Sequence, residues 1–249
     1  APMAITVMRP VTAITTGMAM RTSITTESRP ALMRLLHLVS PSLPIGSFTY
    51  SQGIEWGVEC GWIDSAVTLG EWLEDQLMTA IACLDLPVLL RLYHAAAEGD
   101  VTALEDWSQF LLASRETAEL RQEEINRGRA LADLLVALEV PHAQEWKPVL
   151  ATCQAAGFAT AAVGWEIDYA DAASGYAWSW LENLVLAAVK SIPLGQTQGQ
   201  QLLSRLIGSI PAAVRRSLAV EDAMIGASNP ALAIASSRHE TQYTRLFRS

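Results

Sequence analysis

The 249-residue chain is short of charge, with Asp, Glu, Lys and Arg together at 17% where a globular domain carries about 25%. What charge there is leans acidic, 26 Asp and Glu against 17 Lys and Arg, for a formal net charge of -9. Such a surface repels phosphate and offers no basic face for counterion release, which argues against nucleic acid as a partner. Cysteine is scarce too. Cys60, Cys83 and Cys153 are odd in number and far apart, so no disulfide framework or CxxC site can be read from them, and a reducing, cytoplasmic compartment is expected. Their apolar neighbours suggest small buried thiols.

Motifs that carry chemistry are absent as well. Without GxxxxGK followed by Ser or Thr there is no glycine-lined phosphate cradle, and GQTQGQ at 195–200 does not replace it. His239-Glu240 lacks the second imidazole of HExxH, and His37, His94 and His142 show no ligand spacing either. Glu123 and Glu124 are adjacent, which points them to different helix sectors rather than to one substrate. No catalytic, cofactor-binding or metal-ligating residue is assigned, and the chain is not expected to be an enzyme. The longest uncharged stretch, between Lys147 and Glu166, is interrupted by Thr152, Gln154, Gly157, Thr160 and Gly164 and reads as a buried helix rather than a membrane span. Residues 1–29, rich in Thr and Met with no clean apolar run, do not read as a secretory signal and are taken as a disordered or vector-derived extension.

What is present is helical periodicity. Apolar residues make up 51% of the chain, enough for an alanine-rich core or for a surface that needs a partner. No stretch from Pro30 onward alternates as a strand does, so the fold class is all-α, a single bundle-like domain of about ten helices over residues 30–235. Thr68 and Glu71 have capping-box spacing before a helix that should stop ahead of Pro87. Asp85 and Asp100 are candidate N-caps, and Gly99 a C-terminal stop. From Arg115 a charged half, RETAELRQEEINRGR, runs into an apolar one, with Glu123 and Arg127 an i,i+4 pair; the charges suggest a solvated face. Pro141 and Pro148 should break the chain. Helices are expected at roughly 148–164, 169–191 and 196–219, and a last one from Asn229-Pro230.

Residues 40–63 are the most unusual stretch. Pro41 and Pro44 prevent a helix and Gly46 permits a turn, which makes an elbow carrying Phe48 and Tyr50 before Ile54, Trp56 and Val58 resume helical spacing. Lys190, at the end of an apolar run before Pro193 and Gln196, suits recognition. The last segment, residues 236–249, sets Arg238, Arg245 and Arg248 beside His239, Tyr243 and Phe247, residue types that concentrate binding energy at interfaces.

The elbow sequence LPIGSFTYSQGIEW at 43–56 resembles the N-terminal signature of the UreF family of urease accessory proteins, except that Ser47 stands where glycine is common. The resemblance continues in DLPVLLRLYHA at 85–95, RETAELRQEEINRGRAL at 115–131, AVKSIPLGQTQGQQLL at 188–203 and SSRHETQYTRLFRS at 236–249. It implies an all-α homodimer that binds the accessory protein UreD, also called UreH, recruits the GTPase UreG and assembles on apo-urease, with nickel passing through the complex. Partner contacts are then expected from Phe48, Tyr50, Gln52 and Glu55 at the elbow, from Lys190 and Gln196, and from the tail residues named above, the tail engaging UreD. No tightly bound cofactor is expected in the isolated chain. Rival readings are an all-α enzyme of haem-oxygenase-like or thiaminase-like kind and a helical regulator unrelated to nickel.

Overall fold

A computed structural model describes residues 30–226 and 229–249; the expectation for residues 1–29 lies outside the described residues. Helices follow in the order α1 (Pro30–Leu38), α2 (Ile54–Glu59), α3 (Ala66–Gln76), α4 (Leu86–Glu98), α5 (Val101–Ala113), α6 (Ala118–Ala137), α7 (Ala143–Leu150), α8 (Gln154–Gly164), α9 (Tyr169–Ser191), α10 (Gln196–Ile207), α11 (Ile210–Leu218) and α12 (Pro230–His239). Short 3₁₀ turns lie at Ser47–Thr49 and Asp222–Met224, a π-helical segment joins α3 to α4, and there is no strand among the described residues. The all-α expectation holds. The count exceeds ten because Gly208 divides the expected 196–219 helix and residues 151–153 divide the 148–164 one. Pro148 does not break the chain; it sits inside the short α7.

At the centre lies α8, whose residues from Gln154 to Ala162 are all buried. A helix apolar all round has no solvent face, and its alanines let α4, α6 and α9 pack close about it. Phe158 supplies the bulk and meets Tyr176 of α9 edge-on at 5.2 Å. The tightest approach is to α6. A Cβ on Gly128 would stand 2.8 Å from the Cys153 backbone, so only glycine lets α6 cross the start of α8.

Two expectations about caps give way. The box that opens α3 is Ser65 with Thr68, not Thr68 with Glu71, because Ser65 is the extended residue whose hydroxyl accepts from the Thr68 amide. Asp85 caps nothing. The helix does not stop before Pro87 either: Ala66 to Glu98 is one rod of 33 residues. Pro87 has no N–H for the carbonyl four residues back, and that carbonyl, of Cys83, takes the Gly226 N–H at 3.0 Å instead. The wide π turns of Leu77–Asp85 absorb the lost register. By length and composition this rod, rather than residues 147–166, is the helix that could cross a membrane, and 61% of its most apolar stretch is buried inside the protein. Gly99 in the left-handed conformation does end α4, and Asp100 and Asn229 do cap α5 and α12. The three thiols part company, with Cys153 buried, Cys83 half-buried and Cys60 exposed on the turn after α2.

Gly128→Ala should destabilise the protein by about 2 kcal/mol, the scale of overpacking a close contact, measured as the loss in thermal or urea unfolding.

Candidate functional site

The charged half of α6 faces inward. Leu120, Glu123, Glu124, Arg127, Gly128 and Leu131 are all buried and recur at helical steps, so the apolar stripe runs through the charges rather than around them. This overturns the solvated-face expectation. Arg115, on the turn before α6, holds Asp85 of the π segment at 2.5 Å and Glu124 at 2.6 Å. Glu124 also accepts the Gln154 amide at 3.3 Å, which fixes the start of α8. One turn along, Arg127 pairs with Glu123 at 2.8 Å, as the i,i+4 spacing anticipated. Glu123 accepts from Gln52 as well, at 2.8 Å, and Gln52 in turn accepts the Trp180 indole N–H at 2.8 Å. Glu123 and Glu124 thus take different partners but line a single narrow polar cavity of about 40 Å³, with Asp85, Arg115, Arg127, Gln76 and Gln154. Three buried atoms on its wall, Gln76 Nε2, Arg127 Nε and Gln154 Oε1, have no hydrogen-bond partner in the protein. The cavity offers donors and acceptors to a polar guest of about the size of water.

Burial sets the protonation chemistry. For Asp85 it raises the pKa, with Arg115 opposing and not overcoming it. For Glu124 burial is likewise the largest influence, yet Arg115 and Arg127 together outweigh it and its pKa falls. Burial, reinforced by Glu124 and Asp85, holds the Tyr176 hydroxyl well above its ordinary range. Burial, with Glu124, also pushes the Cys153 thiol up to about 12, which leaves it uncharged and unreactive near neutrality.

A second network clasps the tail to the elbow. Gly53, at φ +80°, brings the elbow against α12, where an added Cβ would meet Ala235 Cβ at 2.8 Å. Beside it the fully buried His239 ring lies between two carboxylates, Nδ1 2.6 Å from Glu119 and Nε2 3.2 Å from Glu55. Each ring nitrogen therefore faces a carboxylate oxygen. Glu55 also accepts the backbone N–H groups of Leu246 and Phe247, and Glu119 accepts from Arg245 at 2.6 Å. Glu240 takes the free amides of Ala118 and Glu119 at the start of α6, where Thr117 also bonds Ser236 at 2.7 Å. Arg248 donates its N–H to the Thr49 carbonyl at 2.9 Å, and the Ser51 N–H reaches the Ser249 carbonyl at 2.8 Å. Ser249 Oγ donates to Glu123 at 2.9 Å, so the clasp and the buried ionic network share one carboxylate.

Comparison with known proteins decides the lineage. The UreF family model matches residues 63–207, from the end of the elbow region to the end of α10. The chain is 53% identical to a urease accessory protein UreF of Alcanivorax borkumensis, over 88% of this chain and 98% of the relative. It is 51% identical to one of Pseudomonas putida, at the same coverage, and 47% identical to one of Citrobacter koseri, over 90% of this chain and all of the relative. The chain belongs to the UreF family.

The residues singled out for partner contacts in this UreF chain divide by burial. Tyr50 is buried and accepts from Asn126 at 3.2 Å; His239 and Phe247 are buried and Gln52 and Glu55 half-buried, all four tied into the two networks. Phe48, Lys190, Gln196, Arg238, Tyr243, Arg245 and Arg248 are exposed. The Lys190 ammonium stands 6.0 Å from the Phe48 ring, so two segments far apart in sequence meet on one face. The boundary expected at Ser236 falls inside α12. Asp85, Arg115, Glu119, Glu124 and Gln154 were not singled out as site residues. The signal was there for α6, because Leu120 to Leu131 keep a helical stripe if charges are allowed on it; for Asp85, Arg115 and Gln154 only the fold supplies the proximity.

Removing one partner from the buried network leaves others unpaired, so Glu124→Gln should cost about 3 kcal/mol at neutral pH. Because the folded-state pKa of Glu124 is lowered, its contribution is present above the ordinary value of 4.5 and is lost as pH falls through the lower folded value. The difference between parent and variant in urea unfolding should persist at pH 5 to 7, the upper part of the acid-stability range, and close only in stronger acid.

Proposed function

We propose that this UreF chain is an adaptor in urease maturation: as a cytoplasmic homodimer it binds UreD, recruits UreG and modulates its GTPase cycle, and the complex delivers nickel to apo-urease. The observation that carries the reading is the patch where the elbow meets the tail. Phe48 is 56% exposed, Leu246 65%, and Tyr243 stands wholly free, with Lys190, Arg245 and Arg248 among them. Aromatic and arginine side chains held out from a rigid support suit a binding surface, since little freedom remains to be lost on docking. The support is the clasp beneath, which fixes both segments. The name shared by the relatives supplies the process.

The clasp also dictates how the tail is to be tested. Deleting residues 239–249 would remove His239 and Phe247 from the interior and leave Glu55 and Glu119 without their partners, so lost folding would be confused with lost recognition. Single substitutions at exposed positions separate the two. Tyr243→Ala and Lys190→Ala should each change stability by no more than about 0.5 kcal/mol, as surface substitutions do. Both should weaken complex formation with co-expressed UreD and UreG, read by size exclusion with mass measurement. Undiminished assembly by both variants would sink the proposed surface.

Nickel is proposed to pass through the assembly rather than to reside in this chain. Tight sites converge three or four imidazole, thiolate or carboxylate ligands, and no group of three His, Cys, Asp or Glu side chains placed to hold a metal occurs among the described residues. Calorimetry on the isolated protein should show only weak nickel binding; a tight site of one ion per chain would contradict this.

A further inference from the structure

We propose that a cleft at the far end of the bundle accepts an arginine or lysine side chain from a protein partner. The cleft, of about 190 Å³, lies between the end of α4, the α6–α7 turn, α7 and the end of α8. Pockets for whole small molecules are larger, about 300–1,000 Å³, so this one suits a single long side chain. Its sides are the aliphatic surfaces of Ala97, Pro141 and Val163 and the ring of Trp146, on which His142 lies flat at 4.5 Å and 12°. Trp146 is buried beneath it, so the exposed His142 ring is the plate on offer, and apolar sides with an aromatic plate fit the stem of a long cationic side chain and stack a guanidinium.

The electrostatics select the sign. α4, α6 and α8 all end here, at Glu98, Ala137 and Gly164, and aligned peptide dipoles leave roughly half a negative charge at each helix C-terminus. Four exposed carboxylates stand within two residues of the lining: Glu98 beside Ala97, Glu139 before Pro141, Glu145 beside Trp146 and Glu166 after Gly164. Of the basic groups nearby, Lys147 of α7 is paired with Asp133 at 2.7 Å, Arg34 of α1 lies over the Trp165 ring at 5.1 Å, and His142 of the lining stands 3.6 Å from Glu145. The lining itself contains no lysine or arginine.

A separate observation points to a ligand. Thr160 is 2% exposed, it lines the cleft, and its Oγ1 has no hydrogen-bond partner in the protein. A buried hydroxyl left so is costly, and it can accept from an incoming N–H group. The cleft is distinct from the elbow and tail, which sit at the opposite end of α6; its 20 residues span about 30 Å. A result here therefore leaves the urease-maturation reading untouched.

The test uses the full chain, isotope-labelled, titrated with acetyl-Gly-Arg-Gly amide and with the same peptide carrying neutral citrulline. The arginine peptide should shift the resonances of Trp146, Val163 and Gly164, and the citrulline peptide should not. Thr160→Val, close in shape to threonine, and the pair Glu139→Gln with Glu166→Gln should each weaken the arginine peptide, the pair by about fivefold, the scale of losing two exposed ion pairs. Equal shifts by both peptides, shifts confined to other surfaces, or affinity unchanged in both variants would overturn the proposal. So would concentration-dependent shifts of the same resonances without peptide, which would assign the cleft to a second copy of the chain.

Discussion

Everything around α6 depends on one guanidinium. Arg115 lies before the helix begins, yet it reaches inward to hold a carboxylate from the π segment and another from α6 itself. Two acids and a base at that depth tolerate no loss of a member, since an unpaired buried charge is worth several kcal/mol against the fold. The π segment owes its place to this contact. Its wide turns carry Asp85 to Arg115 and at the same time let the rod pass Pro87 without a break. Glu124 completes the triangle and takes the amide that begins α8, so the core helix is positioned by charge at one end and by alanine packing along its length.

From that centre the structure leads outward through shared groups. Glu123 joins Arg127 of the ionic network, Gln52 of the elbow and Ser249 of the tail, and Gln52 passes the connection to Trp180 of α9. The exposed aromatic and basic side chains of the elbow and tail therefore stand on a support that is bonded through to the core. The proposed adaptor role would draw on such a base, because a docking surface that must first be ordered loses affinity to the entropy of ordering. The acid-rich end, where three helices terminate, differs from it in sign as well as in position, so one molecule carries two faces of unlike chemistry.

Helical periodicity, the caps at Asp100 and Asn229 and the stop at Gly99 were legible in the sequence, because they depend on residues within a turn or two of each other. So was the elbow, where prolines and glycines limit the backbone whatever surrounds it, and the family resemblance lay in the same local strings. What failed depended on distance. Pro87 was expected to end a helix because a lone helix cannot replace the bond it loses, and only the fold brings the Gly226 amide to the stranded Cys83 carbonyl. The charges of α6 were expected in water because nothing local shows that Arg115, Asp85 and Gln52 converge on them. His239 and Phe247 were expected at a surface for the same reason, and the tail folds them inward against Glu55 and Glu119. The sequence by itself determined where the helices run and which family they belong to, since both follow from short-range pattern. Only the tertiary structure decided which charges are buried and which side chains remain free to meet a partner, because desolvation and pairing depend on neighbours that lie up to 198 residues away along the chain.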